Sequence, residues 1–258
     1  MLATRDWIYL DLEKTGCTFL RERLLSIYPE DVFLEKKKHG IQESESAIPK
    51  LITIRDPCRY YFSLWSYGLE GRGGFYRKLS TNFPALSERA FADRSKDSFA
   101  WFLDFVLNTP TRYPSGKTQT WIPTSCDIYT ARILSMLVPK SCRTALLKEL
   151  RSPNQLATYL DSKRDRFLPR AILRTESLNK DFHDLAHNGH LSFMQLPAGW
   201  EECFPLNAQP INTSSNSHSA QTDSSPTIND FYSDEQLKLI KSKSSVYRLL
   251  RSEADQNF

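Results

Sequence analysis

The sequence predicts an α/β fold: one domain over residues 1–258 with three layers, helices covering both faces of a central parallel sheet. Three observations predict it. Short apolar runs recur at 7–10, 32–34, 51–54 and 171–173. Segments of helical spacing separate them, and polar turns with Gly or Asp-Pro follow the first and third. Strands alternating with helices form parallel βαβ units, whose crossovers cover both sheet faces.

The elements read in order as follows. Trp7-Ile8-Tyr9-Leu10 is the first strand. Asp11 to Thr18 is a small-residue loop. Phe19, Leu20, Leu24, Leu25 and Tyr28 recur at helical spacing until Pro29. Val32-Phe33-Leu34 is a second buried-strand candidate, and Leu51-Ile52-Thr53-Ile54 a third, stopped by Asp56-Pro57. A helix follows over 60–67. Further helices are expected near 97–108, 127–138, 145–162, 178–187 and 233–250, with a strand at Ala171-Ile172-Leu173. Residues 68–96 and 109–125, rich in Gly, Pro, Ser and Arg, read as surface loops. Residues 207–230 hold almost no large apolar side chain, so a flexible loop within the domain is expected there.

A net charge of +4 is mild, and Lys36-Lys37-Lys38 is the longest basic run, which argues against a nucleic-acid partner. Five scattered cysteines without a CxxC pair suit reduced thiols in the cytoplasm. No apolar run reaches the roughly 18 residues of a membrane span. His183, His187 and His190 lack a completing acidic ligand, and no metal is expected. Trp65, Trp101 and Trp121 are readable either as core or as stacking surfaces.

Two loops carry the chemistry. Glu13-Lys14-Thr15-Gly16-Cys17-Thr18 lies between a strand and a helix. Backbone N–H groups at a helix N-terminus, with the charge of Lys14, suit a phosphate. The pattern GxxxxGK[ST] is absent, so this is not the triphosphatase loop. Arg55-Asp56-Pro57 stands at the carboxyl end of a strand, where parallel sheets bind ligands, and Ser63 follows eight residues after Arg55. A guanidinium there grips phosphate through paired hydrogen bonds, and a hydroxyl adds a third.

Together these loops resemble those of the sulfotransferase family, in its compact carbohydrate-type or bacterial branch. Lys14, Thr15, Gly16 and Thr18 match its 5′-phosphosulfate loop, and Arg55, Asp56, Pro57 and Ser63 its 3′-phosphate motif. Glu13 departs from the usual proline and Cys17 from a hydroxyl residue. Weaker likeness runs through Leu173 to Leu178 with Asp181, Asp127 to Leu134, Ile211 to Ser214, and Tyr232 to Leu250.

The resemblance implies a P-loop nucleotide-kinase-like fold and transfer of sulfate from 3′-phosphoadenosine 5′-phosphosulfate to an acceptor hydroxyl. The acceptor is expected to be a carbohydrate or glycolipid. Lys14 and His39 are the implied catalytic residues, with Glu35 and Glu13 as alternative bases. Lys14, Thr15, Gly16, Cys17, Thr18, Arg55, Ser63, Asn212 and Ser214 are the implied donor-binding residues. Two rival readings are a non-catalytic nucleotide-binding scaffold and an ATP-dependent small-molecule kinase.

Overall fold

A computed structural model describes residues 1–40, 47–108, 112–115, 118–121, 126–149, 152–207 and 227–256. Its strands are β1 (Leu2–Ala3), β2 (Ile8–Leu10), β3 (Glu35–Lys36), β4 (Lys50–Ile54), β5 (Arg112–Ser115), β6 (Thr118–Trp121) and β7 (Ala171–Arg174). The helices are α1 (Cys17–Ile27), α2 (Pro57–Leu69), α3 (Gly74–Asn82), α4 (Pro84–Ala90), α5 (Lys96–Asn108), α6 (Ile128–Leu137) and α7 (Lys140–Glu149). They continue with α8 (Pro153–Ser162), α9 (Arg164–Phe167), α10 (Leu178–His187), α11 (Trp200–Cys203), α12 (Asp234–Lys243) and α13 (Ser245–Gln256).

Five strands form one open sheet in the order β3-β1-β2-β4-β7, and β5 and β6 pair separately. The fold is mixed α/β, as the alternation predicts. The parallel part is narrower than expected: β2, β4 and β7 run parallel, while β1 is antiparallel to both β2 and β3.

Alternating strand residues separate two cores. Ile8, Leu10, Ile52, Ile54 and Ile172 pack with Tyr60, Tyr61, Leu64 and Trp65 of α2 and with Phe99 and Phe102 of α5. Tyr9, Leu51, Ala171 and Leu173 pack on the opposite face with Phe19, Leu20 and Leu24 of α1 and Phe182 and Leu185 of α10. The period-2 pleat sends neighbouring side chains to opposite faces, so every residue of β2 and β4 is buried.

Several expected elements differ. The strand expected at 32–34 is replaced by a 3-10 turn at Glu30–Val32, and pairing begins only at Glu35. Phe33 packs instead against the Trp7 and Tyr28 rings, which makes it look like a strand residue in sequence. The expected loop 68–96 contains α3 and α4, where Phe75 and Leu79 supply a buried i, i+4 pair and Pro84 starts the second helix. Within 109–125 the described residues form the β5–β6 pair.

The helix expected over 145–162 is two, because Ser152 and Gln155 form a capping box that starts α8 anew. Likewise α12 ends at Lys243 and α13 begins at Ser245, so the helix expected over 233–250 is also two. Of the segment 207–230, residues 208–226 lie outside the described residues. Residues 227–230 belong to a capped 3-10 turn in which Asp230 accepts from the Thr227 N–H and hydroxyl.

Candidate anion-binding site

Both predicted loops leave the carboxyl ends of adjacent parallel strands, β2 and β4, so the fold puts them side by side. Leu10 pairs with Ile52, and the β2 loop therefore begins over the shoulder of the longer β4.

That loop folds back tightly on itself. The Thr15 side chain is fully buried, and its hydroxyl donates to the Leu12 carbonyl at 2.7 Å and meets the Thr53 hydroxyl at 2.7 Å. The Tyr9 hydroxyl lies 3.3 Å from the same Thr53 oxygen. Thr15 thus fastens the loop to β4 with its side chain and has its backbone left to offer a ligand. Lys14 and Gly16 both take left-handed backbone, at φ 65° and 78°. At Gly16 a Cβ would sit 3.2 Å from Leu178 Cδ2, so α10 closes against the turn as well.

Gly16 is the N-cap of α1, and no side chain caps that helix. Its first-turn N–H groups have no intrahelical partners, and the dipole adds partial positive charge there. Cys17 is buried at the first helical position, and burial, with Asp11 next, pushes its thiol up to about 11. It is therefore a neutral thiol at pH 7. Thr18 follows it, half-buried in the first turn, and lies against the Cys17 sulfur.

Arg55 follows β4 directly. Its Nη1 donates to the Lys14 carbonyl at 3.1 Å, joining the two loops. Its Nε is buried with no hydrogen-bond partner among the described residues. Leaving such a donor unpaired costs roughly 1–3 kcal/mol, which an anion accepting from it would recover. Burial is the main reason the guanidinium's affinity for its proton is lowered; the group remains charged.

The surroundings hold Arg55 rigidly. The Tyr129 hydroxyl accepts from its N–H and donates to its carbonyl, both at 2.9 Å. Glu176 accepts from the Asp56 N–H at 3.0 Å, and the Thr175 hydroxyl donates to the Ile54 carbonyl at 2.8 Å. Asp56 caps α2 by accepting from Arg59 N at 3.0 Å. Ser63 lies half-buried two turns into that helix.

Lys14 points toward the far end of α2. Its Nζ lies 3.8 Å from the centroid of the Tyr67 ring. Burial, followed by repulsion from Arg55, lowers its pKa to about 8. Glu13 forms an ion pair with Arg132 of α6. Burial drives the Glu13 carboxyl up toward about 7 and Arg132 down toward about 9. Lys14 and Lys78 oppose the shift of Glu13. The carboxyl that stands in place of proline therefore meets a guanidinium from α6.

His39 belongs to the same end of the sheet. Its N–H donates to Asp11 Oδ1 at 2.9 Å, and Nδ1 lies 2.8 Å from the Asp11 carbonyl. A carbonyl only accepts, so Nδ1 carries the proton and Nε2 is left as the basic nitrogen. Glu35 sits in the edge strand β3. Asn212 and Ser214 lie outside the described residues.

His183, His187 and Trp65 are engaged within the fold. His183 Nε2 donates to the Phe204 carbonyl at 2.6 Å, and His187 Nδ1 to the His183 carbonyl at 2.8 Å. Trp65 is buried, with Nε1 donating to the Ala90 carbonyl at 2.7 Å. Trp101 is 44% exposed beneath Arg89, and Trp121 ends β6.

Sequence reasoning missed Tyr67 and the anchoring role of Tyr129. Tyr67 had a signal, because it falls one helical turn after Ser63. Tyr129, 74 residues from Arg55, had none. Comparison with family models, curated proteins and solved structures found no match.

Proposed function

We propose that this chain is a sulfotransferase that moves a sulfuryl group from 3′-phosphoadenosine 5′-phosphosulfate to an acceptor hydroxyl, of a carbohydrate or glycolipid. The observation that carries the reading is the hydrogen bond from Arg55 Nη1 to the Lys14 carbonyl. It couples the two loops whose residues resemble the family's two phosphate motifs. The buried, unpartnered Nε of Arg55 fits a phosphate oxygen as its acceptor.

The roles follow from the chemistry. Arg55 and Ser63 grip the 3′ phosphate, which anchors the donor without reacting. The N–H groups of the 14–18 turn and the Lys14 ammonium stabilise charge growing on the departing 5′ phosphate. His39 accepts the acceptor's proton at Nε2, a step worth roughly 10²–10⁴-fold. Asn212 and Ser214 join the donor site on the strength of the resemblance alone. A P-loop nucleotide-kinase-like fold is part of the same proposal. So is a cytoplasmic setting, supported by five scattered cysteines without a CxxC pair. Among the described residues, no helix is long and apolar enough to cross a membrane.

Calorimetric titration with 3′-phosphoadenosine 5′-phosphate, beside 5′-AMP and ATP, tests the reading. Selective binding of the first, weakened at least tenfold in Arg55→Ala and also in Lys14→Ala, is expected from losing charge-assisted hydrogen bonds of about 1.5–3 kcal/mol each. Equal or absent binding of all three nucleotides would sink it. Preference for ATP would point to the kinase alternative.

A further inference from the structure

We infer that Tyr67 is a positioning residue for Lys14, its ring acting as the platform that holds the ammonium at the anion site. The inference rests on the proposed sulfotransferase reading for its catalytic meaning, and on geometry for the contact itself.

Ser63 and Tyr67 are four residues apart on α2, and so share the helix face that continues from Arg55. Tyr61 and Trp65 are buried on the opposite side of the helix, and Tyr60 and Leu64 are buried at the flank. One rigid helix therefore begins beside the guanidinium and ends beside the lysine. The Lys14 Nζ stands 3.8 Å from the Tyr67 ring centroid, inside the roughly 6 Å over which a ring face attracts a cation. The ammonium stands over the ring itself, so the ring face makes the contact.

The chain after α2 fixes that ring. Arg72 N donates to the Tyr67 carbonyl at 3.1 Å, and the Arg72 guanidinium lies 4.7 Å from the ring centroid. Gly73, at φ 95°, passes so close that a Cβ would fall 2.8 Å from Tyr67 Cδ1. Only a residue without a side chain fits there, and the tyrosine is held in one orientation.

Lys14 needs such a hold. Its backbone is pinned by Arg55, but a lysine side chain has a flexible four-carbon stem and its ammonium would otherwise sample many positions. Glu70, the residue just after α2, adds weak attraction, while its carboxylate is engaged by Arg72 at 3.3 Å. The groups acting on the ammonium are thus Tyr67, Arg55, Glu13, Cys17 and Glu70, and the Tyr67 ring lies beneath it.

The test reads Lys14 directly. The pH dependence of its acylation by acetic anhydride, followed by peptide mass spectrometry, gives a titration midpoint that does not depend on any substrate. The same proteins are titrated with 3′-phosphoadenosine 5′-phosphate. Replacing the ring in Tyr67→Leu is expected to move the midpoint down by about half a unit or more, because an aromatic face favours the charged amine. Tyr67→Phe is expected to restore it. Tyr67→Met stands in if circular dichroism shows the leucine variant unfolded.

An unchanged midpoint in both aliphatic variants would overturn the inference, and so would a phenylalanine variant that behaves like leucine. The two failures separate cleanly. A shifted midpoint in a chain that binds no nucleotide keeps Tyr67 as the lysine's platform and removes the sulfotransferase reading. An unshifted midpoint in a chain that binds through Arg55 does the reverse.

Discussion

The phenol of Tyr129 closes on both ends of one residue, accepting from the Arg55 N–H and donating to the Arg55 carbonyl, each at 2.9 Å. Tyr129 is fully buried at the start of α6 and stacks on Tyr60 with ring centroids 4.0 Å apart. The backbone that aims the guanidinium is therefore fixed from a distant helix.

Tyr129→Phe should keep the stack and lose both hydrogen bonds. Two backbone groups at the end of β4 would then lack their partner, at a cost of about 1–3 kcal/mol. A lower urea midpoint with an unchanged slope is the expected result. Affinity for 3′-phosphoadenosine 5′-phosphate should fall with it, because Arg55 loses its fixed direction. Wild-type stability would show that neighbouring groups replace the phenol.

Lys14 gives the protein a pH dependence of defined sign. Burial lowers its pKa from 10.5 to about 8 in the folded chain. Between those values the unfolded chain holds more protons than the folded one, so this residue's contribution to stability rises with pH from about 8 to 10.5. Anion binding goes the other way. Phosphate groups are already ionised above neutrality, while Lys14 loses its charge, so affinity should fall above pH 8 by at most about tenfold per unit. Calorimetry from pH 7 to 10 would reveal the decline, and Lys14→Met should flatten it.

Gly16→Ala should be costly for two reasons that a control can separate. Left-handed backbone penalises any Cβ by about 1–2 kcal/mol. At Gly16 that Cβ also stands 3.2 Å from Leu178 Cδ2. Gly199 has nearly the same φ, 77° against 78°, with nothing within 4 Å of the added carbon. Both alanine variants should lower the thermal midpoint. Gly16→Ala should lower it more, and it alone should weaken nucleotide binding.

Much of the site was legible because its residues are local. Lys14 and Gly16 were readable as a strand-to-helix turn, since a short apolar run, a glycine and a helical period follow one another within twenty residues. Arg55 and Ser63 were readable for the same reason, as α2 starts at Pro57 directly after β4. The misread elements were those whose identity depends on packing. Phe33 looks like a strand residue but is buried by rings, and residues 74–90 look like a loop until Phe75 and Leu79 find a core.

By itself, then, the sequence determined the β2–α1 and β4–α2 units and which cations they carry, because backbone propensity, capping and period act between near neighbours. Only the tertiary structure decided how those cations stand. Arg55 reaches the Lys14 carbonyl, Tyr129 fixes Arg55 from α6, Arg132 pairs with Glu13, and the Tyr67 ring receives the lysine. Each of these joins segments that chain order keeps apart. Such contacts form only after two hydrophobic cores have pressed the helices onto a shared sheet, and no local pattern records them.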